Sequence, residues 1–381
     1  MRPVFVSDLA TGDRLGRDVY TGRDGLPLLR AGVRVSDSYR QSLLRAGITS
    51  VWIDDGMSEG IEPLEMLHEE TRRRATAAIH DALREMAREQ PKSGTISPDT
   101  VQEMTAVAEL IVGDVADNVH SALALNDLAN ADGYTLKHSL AVTTLGLSLG
   151  VRVMNKYGWV DLHGRRRRDG VEERLNMLGV GLLLHDIGKL AVPSEILQKP
   201  GPLDEDEWKA MRAHPLLGVE ILKKADGISP IARAVVRSHH ERWDGSGYPD
   251  GQARQEIHQF ARIAAAADVF DALTSDRHYR RALPAHEAYE AIVTRGGTDF
   301  DPEVIDIFRT FVAPYPTGTP VVLSDGSSGL VHTVRPDAVT RPVIRLLTDP
   351  SGASIPPREI DLSRTPGLSI SSTRSLVTAP A

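Results

Sequence analysis

The chain has 381 residues, of which 41% are hydrophobic and 25% are charged; its net charge is -8 at pH 7 and it contains no cysteine. This length is enough for two or three domains with buried cores. The absence of cysteine excludes disulfides, thiolate metal sites and thiol nucleophiles, so any metal must be held by nitrogen and oxygen. The negative charge argues against general binding of DNA or RNA, whose phosphates attract Lys and Arg, but leaves room for a small anionic ligand in a local pocket.

Membrane segments are not predicted. No stretch reaches the roughly 18 consecutive apolar residues of a spanning helix. The N-terminal segment MRPVFVSDLATGDRL also lacks an apolar run of signal-peptide length. We therefore expect a protein that does not enter the membrane and is located in the cytoplasm.

Residues 1–62 predict a small β-rich domain. Short β-like runs alternate with turns, including the GRDG turn, and a short helix is expected near SDSYRQSLLRAG. It resembles accessory domains that precede catalytic domains in signalling proteins and carries no recognisable catalytic residue. We interpret it as a regulatory or interaction element.

Residues 63–96 predict a helical linker, and residues 97–313 predict a helical bundle. The linker is rich in good helix formers. The bundle opens with Ser97 and Pro98, which are typical of a helix N-terminus, and apolar residues then recur at helical spacing. After Pro314, β-branched runs separated by Asp-Gly, Ser-Gly and Pro predict a β-rich module over residues 314–381 with a frayed tail. The predicted fold class is thus mainly α, a helical bundle flanked by N- and C-terminal β-rich modules.

Potential metal ligands recur along the predicted bundle. Imidazole and carboxylate together suit iron, manganese or zinc, and the set exceeds the three or four ligands that one ion needs. We therefore predict two divalent ions. The candidate ligands are His138, His185, Asp186, His214, His239, His240 and Asp268.

The segment GVGLLLHDIGKL carries the strongest local signal, because His185 and Asp186 follow an apolar helix that would anchor them. An isolated His-Asp pair is more often a surface helix cap, and a lone His214 is more often an ordinary core or surface residue. Asp268, however, interrupts the apolar run FARIAAAADVFDAL, where an unpaired carboxylate would be costly to bury. A buried cation would account for it.

Two ions bridged by a carboxylate can produce hydroxide near neutral pH and stabilise both oxygens of an in-line displacement at phosphorus. Asp186 is the candidate bridge and a catalytic residue in this interpretation. Lys189, Arg277 and Arg280 are candidates to neutralise a phosphate oxygen, with ordinary surface charge as the alternative for each.

These motifs resemble the HD-GYP phosphodiesterases, a branch of the HD superfamily of metal-dependent phosphohydrolases. The similarity covers residues 97–313 through DGYTLKHS, LLLHDIGKLAVPSEILQKPGPLDEDEWKAMRAHPLLGVEIL, HHERWDGSGYPDG and RIAAAADVFDALTSDRHYRRAL. It implies an all-α domain that holds two or three iron or manganese ions and opens cyclic di-GMP to pGpG, and in some members to GMP. It assigns the seven candidate ligands, with Asp186 as bridge, and places Lys189, Arg277 and Arg280 at substrate phosphate.

By the same resemblance, Gly247, Tyr248 and Pro249 form the GYP element, which shapes a loop beside the site and mediates contact with diguanylate cyclase (GGDEF) domains. Members with three metals carry Glu where this chain has Tyr134, so we expect two metals. The basic run Arg165–Arg168 has no assigned role and is interpreted as a solvated loop.

The leading hypothesis is a cyclic di-GMP phosphodiesterase. The alternatives are a module that binds cyclic di-GMP with little turnover, or a phosphodiesterase for another cyclic dinucleotide. The sequence leaves open the metal used in the cell, pGpG or GMP as the final product, the input signal and the oligomeric state, including a homodimer.

Overall fold

The fold was analysed in a computed structural model of the chain. It describes residues 1–20, 27–48, 50–62, 65–88, 96–122, 134–161, 163–199, 201–275 and 282–373. The predicted GRDG turn, Arg277, Arg280 and the predicted frayed tail lie outside the described residues.

The N-terminal region contains two short antiparallel strand pairs and one helix. Its elements are β1 (Arg2–Phe5), β2 (Val19–Tyr20), β3 (Pro27–Leu29), α1 (Asp37–Arg45) and β4 (Ser50–Ile53), with β1 paired to β4 and β2 to β3. The hydroxyl of Ser36 caps α1 by accepting from the Tyr39 backbone N–H, as expected for a serine before a helix. Apolar residues of the strands and Leu43 of α1 form a separate small core.

The central region is a bundle of α-helices. They are α2 (Glu69–Arg88), α3 (Pro98–Asp117), α4 (Tyr134–Tyr157), α5 (Val171–Leu183), α6 (Ser194–Leu197), α7 (Glu205–Arg212), α8 (His214–Leu222), α9 (Pro230–Ser238), α10 (Gln259–Thr274), α11 (Ala285–Val293) and α12 (Pro302–Phe311). The apolar faces of these helices, apart from α6 and α7, share one core.

Small residues allow the central helices to approach closely. A Cβ atom on Gly146 of α4 would lie 2.6 Å from the Leu182 side chain of α5, and one on Gly150 would lie 2.6 Å from Leu178. Only glycine therefore permits this spacing without a shift of the neighbours. The close contact fixes α4 against α5, and these two helices carry or lead into several candidate ligands.

Helix α2 packs into the same core as the other helices. Its buried residues Ala75, Ala78, Ile79 and Ala82 belong to the apolar cluster of the bundle. The segment predicted as a helical linker is therefore a helix that packs along one face. The domain boundaries drawn from the sequence near residues 62, 96 and 313 stay a prediction.

The C-terminal region is a five-stranded antiparallel sheet. Its strands are β7 (Pro320–Leu323), β8 (Ser328–Thr333), β9 (Val343–Thr348), β10 (Ser354–Asp361) and β11 (Ile370–Thr373), in the order β10-β9-β8-β7-β11. Val321, Val331 and Ile344 are among the apolar residues of its own small core. The predicted fold class, a helical bundle flanked by β-rich modules, is confirmed.

The loop that contains the basic run folds back as a short hairpin of β5 (Trp159–Val160) and β6 (Arg166–Arg167). Arg166 contacts Glu303 at 2.6 Å, and Arg167 pairs with Asp169 at 2.7 Å. Arg168 donates to two backbone carbonyls at the end of α4. Arg166 and Arg168 thus hold the hairpin against the bundle, while Arg167 pairs within the loop. None of the helices in the described ranges is long and apolar enough to span a membrane.

Candidate metal centre

His185 and Asp186 lie in the turn between α5 and a 3-10 turn at Ile187–Ala191. The preceding residues of α5 are buried in the bundle core, so both side chains start from an anchored backbone. His185 is fully buried and Asp186 is 6% exposed. The Nδ1 atom of His185 lies 2.7 Å from the carbonyl oxygen of Leu182, which directs Nε2 away from its own helix.

His214 is the first residue of α8. Helix α7 ends at Arg212, and Pro215 occupies the first turn of a new helix. The Nδ1 atom of His214 lies 2.8 Å from the Met211 carbonyl oxygen at the end of α7. The helix break thus orients this imidazole.

His138 of α4 faces α10 across the bundle. Its Nδ1 atom lies 2.6 Å from a carboxylate oxygen of Asp271, and its Nε2 atom lies 3.2 Å from Oδ1 of Asp268. Asp268 and Asp271 are three residues apart on α10 and therefore share a face. Asp271 sets the orientation of the ring, and Asp268 reaches the side of the ring that is available for a ligand bond.

His239 and His240 follow α9, which ends at Ser238. His239 is fully buried, and its Nδ1 atom lies 3.0 Å from the Val236 carbonyl oxygen. His240 points the other way: its Nδ1 atom lies 3.7 Å from Oδ2 of Asp268. Its ring stacks on Tyr248 with a centroid distance of 4.7 Å.

Six of the seven predicted ligands come together in two groups, and Asp268 lies beside His138 and His240. Within each group the ligand atoms lie within 4.8 Å of one another, and both groups include Asp186. One oxygen of Asp186 faces His138 at 3.5 Å and His185 at 3.4 Å, while the other faces His214 at 3.3 Å and His239 at 3.9 Å. The groups are His138, His185 and Asp186, and Asp186, His214, His239 and His240.

The donor set fits divalent cations. In the neutral tautomer that these contacts favour, the Nδ1–H groups of His185, His214 and His239 donate to backbone carbonyls, so Nε2 carries a lone pair. Yet the Nε2 atoms of His214 and His239 lie only 3.3 Å apart. Oδ1 of Asp186 is buried and has no hydrogen-bond partner among the described residues. Facing lone pairs and an orphaned carboxylate oxygen need positive charge between them, which a divalent ion supplies.

The electrostatics of the cluster agree with this fit. Burial lowers the pKa of His239 well below its usual value, an effect that the neighbouring imidazoles reinforce, and burial lowers the pKa of His240 to about 3. Both are therefore neutral, as a metal ligand must be. Burial alone would raise the pKa of Asp186, but Lys189 and His185 hold it well below the usual range, so this carboxyl is ionised.

Gly188 allows the turn after Asp186 to rest on α8. A Cβ atom at this position would lie 1.9 Å from the His214 carbonyl oxygen and 2.4 Å from the Gly218 backbone nitrogen. Any side chain here would push the turn away from α8. The glycine thus keeps Asp186 beside His214.

Lys189 is the predicted phosphate contact that the structure describes. Its Nζ atom lies 2.5 Å from Oδ2 of Asp186, and its side chain is 28% exposed, so it stands between the buried cluster and solvent. Arg277 and Arg280 fall outside the described residues, and their roles stay predictions.

Gly247, Tyr248 and Pro249 form a tight loop against the end of α9. A Cβ atom on Gly247 would lie 2.4 Å from the Glu241 backbone, so only glycine fits. The backbone N–H of Tyr248 donates to the His240 carbonyl at 3.2 Å. The loop therefore packs directly on a candidate ligand.

Sequence reasoning missed Asp271, Glu241 and Gly188. Glu241 is 1% exposed and accepts from the backbone N–H groups of Asp250 at 2.7 Å and Gln252 at 3.1 Å, which closes the loop. A second carboxylate three residues after Asp268 could have indicated Asp271. The roles of Glu241 and Gly188 depend on contacts between elements and leave no comparable pattern.

Comparison with known families agrees with these motifs. The HD domain family matches residues 166–304, and a KOW domain associated with the HD domain matches residues 320–376. The second match covers the C-terminal sheet. A family assignment therefore exists for both the bundle and the C-terminal module.

Several individual proteins are similar in sequence to this chain. A protein of Pseudomonas aeruginosa named cyclic di-GMP phosphodiesterase is 34% identical over 76% of this chain and 65% of its own length. A probable cyclic di-GMP phosphodiesterase of Vibrio cholerae is 47% identical over 33% of this chain and 30% of its own length. A 3′3′-cGAMP-specific phosphodiesterase of the same organism is 46% identical over 32% of this chain and 26% of its own length.

The chain thus spans no more than about two thirds of these relatives, and their names describe whole proteins that are longer than the matched parts. The matched region nevertheless includes the HD pair and the loop after His240. These matches show an HD domain at residues 166–304, and the quoted motifs resemble its HD-GYP branch.

Proposed function

We propose that the chain is a phosphodiesterase that uses two divalent metal ions to hydrolyse cyclic di-GMP to pGpG. The observation that carries the proposal is the convergence of five imidazoles into two groups that share Asp186, with Asp268 beside His138 and His240. A buried cluster of this kind is costly to maintain without bound cations.

The proposed ligands divide between the two ions. His138, His185 and Asp186 would hold one, and His214, His239 and His240 with Asp186 would hold the other. Asp268 lies near His138 and near His240, so it is placed to serve either group. Iron or manganese suits this mixture of imidazole and carboxylate, and a pair of such ions supplies Lewis-acid activation of water and phosphate.

The chain's own residues would position the substrate and orient a metal ligand. Lys189 stands at the solvent-facing edge of the cluster, where its ammonium would pair with a nonbridging phosphate oxygen. Asp271 keeps His138 in one orientation, because its carboxylate accepts from Nδ1. Arg277 and Arg280 would add positive charge at the phosphate, as the resemblance implies.

Cyclic di-GMP is the favoured substrate because the relative that matches most of this chain carries that name. A relative named for 3′3′-cGAMP is 46% identical over a shorter region, 32% of this chain, so the comparison of cyclic dinucleotides belongs in the first assay. Further cleavage to GMP is an outcome to be measured.

The test is turnover after anaerobic loading with ferrous iron or manganese. We expect cyclic di-GMP to be converted to pGpG, and to be preferred over 3′3′-cGAMP by kcat/KM. Absence of turnover with either metal, combined with tight nucleotide binding, would instead favour a binding module.

We also propose that the Gly247–Pro249 loop can contact a diguanylate cyclase domain, as the resemblance implies. The loop lies at the surface beside the cluster. Co-purification with a GGDEF domain, lost on replacement of Tyr248 by Ala, would support this partner. Light scattering would measure the molar mass in solution and so decide whether the chain forms a homodimer.

A further inference from the structure

A row of stacked side chains leads from the metal cluster to the surface. The His240 ring stacks on Tyr248 at a centroid distance of 4.7 Å and an interplanar angle of 25°. The Arg212 guanidinium lies 5.3 Å from the Tyr248 ring centroid and 5.8 Å from the Trp208 ring centroid. We call His240, Tyr248, Arg212 and Trp208 the stacked row.

The outer end of the stacked row is exposed. Trp208 is 49% exposed, and Arg212 is an exposed residue. No carboxylate within the described ranges pairs with Arg212, although it stands in an acidic chain. A half-exposed indole beside an arginine with no acidic partner offers a flat apolar face and a cation, which together complement an aromatic anion.

Helix α7 holds the two outer residues in fixed relation to the cluster. Trp208 and Arg212 are four residues apart and therefore share one face of this helix. The N-terminus of α7 is closed by a capping box between Asp204 and Glu207. At its other end the Met211 carbonyl accepts from His214, so the outer part of the row is tied to a candidate ligand.

We infer that the stacked row is a nucleobase subsite, in which one base of the cyclic dinucleotide stacks on Trp208 while Arg212 contacts the base or its phosphate. This inference rests on the proposed function and adds the residues that recognise the substrate. Stacking on an aromatic side chain is tolerant of base identity, so the row contributes affinity for any purine dinucleotide.

The first test compares Trp208→Ala, Trp208→Phe and Arg212→Ala with the wild-type protein in steady-state assays on cyclic di-GMP. We expect Trp208→Ala to raise KM about tenfold and to change kcat little, because the substitution removes stacking on one base. Trp208→Phe keeps an aromatic face and should restore most of the affinity. Tyr39→Ala, which removes an exposed aromatic residue from α1, is the matched control and should leave KM unchanged.

The second test uses bis(para-nitrophenyl) phosphate, a phosphodiester without a nucleobase, and equilibrium binding of cyclic di-GMP by calorimetry. Trp208→Ala should hydrolyse the synthetic diester at the wild-type rate and bind cyclic di-GMP more weakly. Equal losses on both substrates would show a structural role for Trp208 and overturn the subsite. Unchanged KM and unchanged binding in Trp208→Ala would overturn it as well.

The two proposals fail in different ways. If wild-type protein binds cyclic di-GMP without turnover, the enzyme proposal fails and the binding data still decide the subsite. If wild-type protein hydrolyses cyclic di-GMP and Trp208→Ala is indistinguishable from it, only the subsite fails. A wild-type protein that neither binds nor hydrolyses cyclic di-GMP contradicts both.

Discussion

The helical bundle and the C-terminal sheet differ in how many polar side chains they bury. In the described part of the sheet region, residues 320–373, Ser327 is the only polar residue among those classed as buried. The bundle instead buries imidazoles and carboxylates beside one another, including His138, Asp186 and Asp268. Because an unpaired buried charge costs several kcal/mol, such a cluster indicates that function rather than stability selected it.

The same contrast applies to how the two regions would respond to substitution. The sheet depends on apolar packing, which is spread over many contacts. The cluster depends on a few directed atoms, each oriented by one hydrogen bond, as Asp271 orients His138. Changes at the cluster should therefore affect activity more than stability, and changes in the outer modules should do the reverse.

The largest effect is expected from Asp186→Ala. The substitution removes the carboxylate that both groups share, so turnover of cyclic di-GMP should fall below detection while the helical circular dichroism is retained. The matched control is Asp226→Ala, which removes an exposed carboxylate from the same bundle. Turnover by Asp186→Ala within tenfold of wild type would contradict the assignment of the bridge.

Gly188→Ala should be the next most damaging change. The added methyl group would overlap the His214 carbonyl oxygen, so the turn or α8 must move and the two halves of the cluster would separate. We expect a lower melting temperature, because overpacking should reduce the free energy of unfolding by about 1–3 kcal/mol. We also expect loss of metal binding.

Gly113→Ala is the control for this prediction. A Cβ atom there meets nothing within 4 Å, and Gly113 lies inside α3. Alanine is the better helix former by about 1 kcal/mol, so this variant should be neutral or slightly stabilised. Equal destabilisation of both variants would mean that the close contact at Gly188 is unimportant.

Asp271→Asn should have an intermediate effect. The amide oxygen can still accept from Nδ1 of His138, but the negative charge that fixes and polarises the imidazole is lost. We expect metal affinity to fall by about 10–100-fold, the usual effect of removing a partner of a metal-binding histidine. The measurement is metal titration, with Asp226→Asn as control. Unchanged metal affinity in Asp271→Asn would show that Asp271 does not support metal binding by His138.

Arg345→Ala should have the smallest effect. Arg345 of β9 donates to the Glu59 carbonyl and pairs with Glu359 at 3.2 Å, so it joins the C-terminal sheet to the N-terminal region. We expect a loss of about 1 kcal/mol in the free energy of unfolding and no change in kcat. A large loss of turnover would show that the outer modules control the site.

The sequence predicted the ligand set because its chemistry is local. Adjacent ligands after apolar helices, and a carboxylate inside the apolar run around Asp268, are visible without a structure. Gly188 and Glu241 act through contacts between segments that are distant in the chain, and such contacts leave no periodic signal.

The outer modules were predicted as β-rich because alternating β-branched residues and turn residues mark strands. Strand order in the C-terminal sheet, with β11 beside β7, could not be read from that pattern, because it depends on which edges meet. The hairpin of β5 and β6 was predicted as a solvated loop, since its arginines have partners that lie outside the hairpin.

The most direct test of the account is the metal content of anaerobically purified protein, measured by elemental analysis for wild type and Asp186→Ala. The account predicts about two equivalents of iron or manganese per wild-type chain, one for each group of ligands, and a clear loss in the variant. Wild-type protein that takes up no metal, or a variant that retains the full complement, would contradict it.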